Sequence, residues 1–152
     1  MQAAIGCAQL EKFEEFVLLQ KKNWTRLLNG LKNLSSYFEF CEPTPNSEPS
    51  WFGFAMRVLP HAPFTRSQLV QFLESQGVQT RMLFSGNILA HPCFSNLSEN
   101  DYRVVGDLTH TMNIMDQTMW VGVYPELNES ELDHIIHCFQ NFISDRKTNA
   151  LV

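Results

Sequence analysis

The stretch WFGFAMRVL, residues 51–59, alternates in a way that only an extended chain can use. At period two, Phe52, Phe54, Met56 and Val58 share one face and Trp51, Gly53, Ala55 and Arg57 the other, with apolar residues on both. This predicts a central strand, which needs neighbours. VQTRMLF supplies one, with Val78, Thr80, Met82 and Phe84 opposing Gln79, Arg81 and Leu83; MWVGV, ended by Pro125, supplies another. Tyr37 to Phe40 is a shorter candidate, followed by the loop CEPTPNSEPS, whose prolines and polar residues forbid a packed element.

Helical patterns fill the gaps. Thr65 with Gln68 three residues on forms a capping box opening a helix through Ser75, which Gly77 closes. Asn128 and Glu131 repeat the device before an apolar stripe of Leu132, Ile135, Ile136, Phe139 and Ile143. Ser98 is expected to cap a short helix over 99–105, and a second spans Thr109 to Gln117. At the start, MQAAIGCAQL reads as a helix already under way, without an N-cap residue before it. Its stripe continues through Leu10, Phe13, Phe16, Val17, Gln20, Trp24, Leu27, Leu28 and Leu31 to about Asn29, with Gly30 as the stop. The order α, β, β, α, β, α, α, β, α predicts an α+β fold, a mixed sheet covered by helices. Neither repeat nor internal linker divides residues 1–152, which read as one domain.

Composition limits the partners. With 44% hydrophobic and 18% charged residues, the chain has a globular composition. A net charge of -5 repels phosphate backbones and anionic lipid, so nucleic acid and membrane are not expected partners. No membrane span or signal peptide is visible, and the four cysteines, Cys7, Cys41, Cys93 and Cys138, are scattered without a C-x-x-C pair. Both features predict a cytoplasmic protein with free thiols and no metal knuckle.

The chemistry-bearing residues gather in TRMLFSGN and the long loop after it. Arg81 beside a Ser-Gly-Asn turn can present a fork of donors to a carboxylate or phosphate oxygen, or it can make a structural ion pair with one of the 16 acids. Trp51 and Phe52 can stack on a sugar or base, or serve as core. His134 and His137 share a helix face without a third ligand, and His91 has no triad partners. Met112, Met115 and Met119 with Trp120 can line a pocket, although core filling explains them as well. No phosphate-binding glycine loop, HExxH pair or GxSxG elbow is present.

Taken in order, MQAAIGCAQLEKFEEFV, PSWFGF, TRMLFSGN, YRVVGDL and MWVGVYPEL resemble the C-terminal part of the pyridoxal-phosphate-dependent nucleotide-sugar dehydratases and aminotransferases. The branch most resembled is the CDP-4-keto-6-deoxyglucose 3-dehydratases of lipopolysaccharide O-antigen biosynthesis. The resemblance implies the small C-terminal domain of the fold-type I aminotransferase architecture, with residues 1–30 as a helix joining a large domain and 31–152 as sheet and helices. In that family MQAA lies within a longer protein, which would explain the missing cap and make Met1 an internal methionine.

The resemblance further implies a parent that uses pyridoxal or pyridoxamine phosphate, in some members with an iron-sulfur cluster, on a nucleotide-linked 4-keto-6-deoxyhexose. The cofactor histidine, the aspartate under the pyridine nitrogen and the cluster cysteines belong to the large domain, so this chain is expected to bind no cofactor and to be inactive alone. Arg81 matches the family arginine that meets a substrate carboxylate or sugar-phosphate oxygen, with Ser85 and Asn87 beside it; Trp51 joins the candidate substrate contacts through its own capacity to stack, not through the resemblance. Where the family turn reads GN followed by Leu, Thr, Arg, Gln and Pro, here Ala90 replaces the cation and His91 the amide. A non-catalytic nucleotide-sugar module and a partner docking on a separate large domain are the other readings. Homodimerisation or self-association through the apolar stripe of the first helix is expected.

Overall fold

A computed structural model of the chain describes residues 2–149, with side chains through 146; Met1 and its expected internal origin lie outside them. Four strands form one sheet: β1 (Phe38–Phe40), β2 (Gly53–Val58), β3 (Thr80–Met82) and β4 (Thr118–Gly122), in the order β1-β2-β4-β3. All three pairings are antiparallel, where a mixed sheet was expected. β2 and β3 do run parallel to each other, joined through a helix, but β4 enters between them and pairs with both.

The helices are α1 (Gln2–Leu10), α2 (Phe13–Leu31), α3 (Arg66–Ser75), α4 (Thr109–Gln117) and α5 (Glu129–Asn149). Both capping boxes form. Thr65 and Gln68 exchange their bonds at 3.2 and 3.0 Å, Asn128 and Glu131 theirs at 3.0 and 2.9 Å, each satisfying two donors at a helix start. Gly77 closes α3 in the left-handed region at φ 79°.

Phe54, Met56 and Val58 of β2 and Met119 and Val121 of β4 are buried with Leu27 and Leu31 of α2, Leu69 and Leu73 of α3, and Leu132, Phe139 and Ile143 of α5. Phe139 meets Phe38 edge-on at 5.9 Å, and Phe142 meets Phe64 likewise at 5.0 Å. Asn23 is buried one turn before Leu27, and its Nδ2 donates to the Tyr124 carbonyl at 2.9 Å. One turn earlier, Gln20 Nε2 donates to Val123 O at 2.9 Å. These amides tie α2 to the chain leaving β4, using carbonyls that no strand neighbour takes.

Several sequence expectations give way to tertiary context. The first helix is two helices, broken at Glu11 and Lys12; no residue of α1 is buried, so no packing holds it in line with α2. Gly30 is inside α2, which ends at Leu31. A Cβ there would lie 2.5 Å from Ile136 Cδ1, so the glycine marks a close helix crossing and not a stop. Ser98 caps no helix: its N–H and hydroxyl both donate to Asp101 Oδ2, each at 2.8 Å, making the side chain a donor where a cap requires an acceptor. Residues 99–105 are accordingly irregular. β3 stops at Met82 rather than Phe84 because Met82 pairs with Met119, and the chain before Thr118 is already α4. Phe52 leaves the face of Phe54 and is exposed.

Candidate functional site

Arg81 sits in the middle of β3, and the start of that strand is fixed from α3. Glu74 accepts from the Thr80 N–H at 2.6 Å and from its hydroxyl at 2.7 Å. Those bonds hold the Glu74 carboxyl below the usual glutamate range, with a lesser contribution from the Arg81 charge. On the sheet, Arg81 faces Trp120, which in turn faces Ala55 of β2. Side chains at these positions share the face turned away from the core. Arg81 is exposed, and none of the ion pairs among the described residues uses it. Arg57, on the same face, is paired with Glu39 at 2.6 Å.

Ser85 and Asn87 lie in the loop beyond β3, which packs on α4. Both polar atoms of the Asn87 side chain have partners: Oδ1 accepts from Leu89 N at 3.1 Å and Nδ2 donates to Met112 Sδ at 3.3 Å. Its backbone N–H donates to Met115 Sδ at 3.4 Å. Gly86, at φ 71°, presses so closely on Met115 that a Cβ would sit 2.6 Å from its Cγ. His91 Nε2 closes the loop on the Ser85 carbonyl at 2.6 Å. Ser85 and His91 line a hollow of about 310 Å³ with Arg66, Phe84, Met115 and Asp116. Arg66 reaches it from the first turn of α3, with Nη1 donating to the Met115 and Thr118 carbonyls at 3.0 and 3.4 Å.

The four residues expected at one site therefore occupy three environments. Arg81 is on the open sheet face, Ser85 and Asn87 are in the loop, and Trp51 packs on Trp24 of α2 with ring centroids 4.5 Å apart. The aromatic group beside Arg81 is Trp120, with Phe52 edge-on to it at 5.2 Å. Its signal was present in MWVGV, where Trp120 alternates with the core residues Met119 and Val121. Arg66 carried no such signal, being one residue past a cap.

Among the described residues no three His, Cys, Asp or Glu side chains converge as metal ligands. His134 instead joins α5 to the end of α3, its Nε2 2.9 Å from Gln76 O. The four cysteines are free thiols, and burial pushes the Cys138 thiol up. No described helix is long and apolar enough to cross a membrane.

Comparison with known proteins gives this geometry a setting. Residues 1–140 match the DegT/DnrJ/EryC1/StrS aminotransferase family. The chain is 44% identical over 93% of its length to the lipopolysaccharide biosynthesis protein RfbH of Salmonella typhimurium, covering 32% of that protein. It is 40% identical over 95% of its length to the dTDP-4-dehydro-2,6-dideoxy-D-glucose 3-dehydratase of Saccharopolyspora spinosa, covering 30% of it. The chain thus spans about a third of the length of these relatives. Among solved structures, the E. coli GDP-4-keto-6-deoxy-D-mannose-3-dehydratase with bound hydrated PLP superimposes with a TM-score of 0.77 at 27% identity, over 89% of this chain and 33% of that one.

Lys12, Lys21, Lys22 and Lys32 lie on or beside α2, Lys21 is paired with Glu48 at 2.7 Å, and no lysine lines the hollow at Ser85.

Proposed function

The chain belongs to the DegT/DnrJ/EryC1/StrS aminotransferase family, and from that premise we propose that it is the small C-terminal domain of a pyridoxal-phosphate-dependent nucleotide-sugar 3-dehydratase. The parent acts on a CDP-4-keto-6-deoxyhexose in the deoxysugar branch of lipopolysaccharide O-antigen synthesis, in the cytoplasm. The observation that carries this reading is 44% identity over 93% of the chain to a lipopolysaccharide biosynthesis protein. The 40% and 33% identical relatives named as 3-dehydratases support the reaction type.

In this assignment the domain supplies no cofactor ligand. An iron-sulfur cluster in the parent would likewise draw its cysteines from elsewhere, because the four here do not converge. Arg81 and Ser85 face substrate oxygens, Asn87 holds their loop in shape through its contacts to Leu89 and Met112, and Trp51 supports the sheet from the α2 side. Leu10, Phe13 and Leu18, which are 72%, 58% and 67% exposed along α1 and α2, are the surface the rest of the parent or a second copy covers in a homodimer.

The test is a domain exchange. This chain, put in place of the matching third of the S. spinosa 3-dehydratase, is expected to give a chimera that keeps dehydration within about tenfold of its parent's rate. The isolated chain, supplied with pyridoxamine phosphate and a CDP-4-keto-6-deoxyhexose, is expected to yield no 3-deoxy product. A folded, cofactor-loaded chimera without dehydration, or turnover by the isolated chain, would overturn the reading.

A further inference from the structure

We propose that His91 is a positioning residue: by donating from Nε2 to the Ser85 carbonyl it latches the loop after β3 into a closed ring, and so fixes the backbone that presents Ser85 to substrate. The role toward substrate rests on the dehydratase reading above, whereas the latch rests on this chain alone.

Ser85 needs a tether from outside its own strand. The pairing of β3 with β4 ends where Met82 meets Met119, and Phe84, 95% exposed, gives the chain beyond it no packing. Gly86 then adopts φ 71°, and the far arm of the loop is pinned to α4 by the Asn87 N–H on Met115 Sδ. From there a single turn, Ile88–Ala90, brings the chain back to His91, whose N–H donates to Ile88 O at 3.0 Å. The His91 carbonyl accepts from Phe94 N at 3.0 Å, and its backbone is extended at φ -81° and ψ 135°, the conformation that a following Pro92 favours. With its main chain held on both sides, His91 returns its ring to Ser85, six residues earlier, at 2.6 Å.

The chemistry of this bond runs one way. A carbonyl oxygen only accepts, so Nε2 carries the proton, and it does so both in the neutral Nε2–H tautomer and in the imidazolium. The latch therefore stays closed whether or not the ring is protonated. The charged side chains at the same hollow are Arg66 from α3 and Asp116 from α4; Arg66 is committed to the Met115 and Thr118 carbonyls, and none of the ion pairs among the described residues uses Asp116. What the position demands is a donor at this reach. Glutamine carries one, whereas glutamate, of the same shape, offers only acceptors when ionised.

Amide hydrogen exchange on the full chain tests the latch through the N–H groups of Asn87, Leu89 and Ala90, which are bonded within the loop or to α4. In His91→Ala their exchange is expected to rise about fivefold, with the core amides of Leu69 and Leu73 unchanged. His91→Gln should restore the protection, and His91→Glu should exchange like His91→Ala. Unchanged protection in His91→Ala, or equal behaviour of the glutamine and glutamate variants, would overturn the latch. Placed in the chimera, His91→Ala is expected to raise KM more than it lowers kcat, and His91→Gln to bring KM back. Unchanged KM in an active chimera, with exchange accelerated in the chain, would overturn the positioning role. An unmutated chimera without activity would instead overturn the dehydratase reading, and the substrate role with it, while the bond itself is still decided by exchange.

Discussion

On the helix-covered side of the sheet, Phe54, Met56, Met119 and Val121 are each no more than 1% exposed. Phe52, just before β2, is by contrast 71% exposed, and the loop beyond β3 presents Phe84 at 95% and Ile88 at 52%. The same four strands thus carry two unlike surfaces: the covered one is apolar, whereas the open one mixes Trp120, Ala55 and Gly53 with Arg81 and the Arg57–Glu39 pair. Burial at about 25 cal/mol per Å² drives folding only where a partner surface exists, so the first face accounts for stability and the second adds little to it.

The sharpest way to break this comparison is Phe139→Ala. It removes a fully buried ring from the helical side and is expected to lower the unfolding free energy by about 3–5 kcal/mol in chemical denaturation. Gly30→Ala follows: its methyl group must displace Ile136 at the crossing of α2 and α5, with an expected loss of about 1–3 kcal/mol. Phe84→Ser, in the exposed loop beyond β3, should leave stability within about 0.5 kcal/mol while reducing self-association in light scattering. If Phe84→Ser instead cost as much as Phe139→Ala, exposed apolar residues would contribute to folding as buried ones do and the comparison would fail.

What the sequence revealed follows a similar division. Thr65 with Gln68 and Asn128 with Glu131 are legible because both partners lie within one helical turn, and α4 spans Thr109–Gln117 as expected. Gly30 misleads because a C-terminal stop and a close helix crossing require the same residue, and only Ile136, far away in the chain, distinguishes them. Ser98 misleads because a hydroxyl can donate as readily as accept, and Asp101 decides. Asn23 hides for a related reason: a polar residue in line with Leu27 and Leu31 looks solvated until the carbonyls after β4 are placed beside it.

The candidate site was half legible for the same cause. Arg81 could be found from its strand pattern, and its exposure suits a ligand group. Asn87 looked equally available, but Leu89 N and Met112 Sδ already occupy its side chain. Trp51 and Phe52 are adjacent, and as neighbours on an extended chain they serve opposite sides of the sheet, Trp51 against Trp24 and Phe52 against Trp120. Spacing along the chain identifies chemically capable residues; competition for their polar atoms, and the side of the sheet they end on, are settled by residues far off in sequence.

The junction of α4 and β4 has a mechanical consequence. Gln117 ends the helix and Thr118 begins the strand, so no residue of slack separates them. Arg66 clamps this joint through the Met115 and Thr118 carbonyls, and Met112 and Met115, on the same helix, grip the loop at Asn87. Loop, helix and strand are therefore geared together: a rotation of α4 that lets the loop swing must also turn the root of β4, two residues from the indole of Trp120.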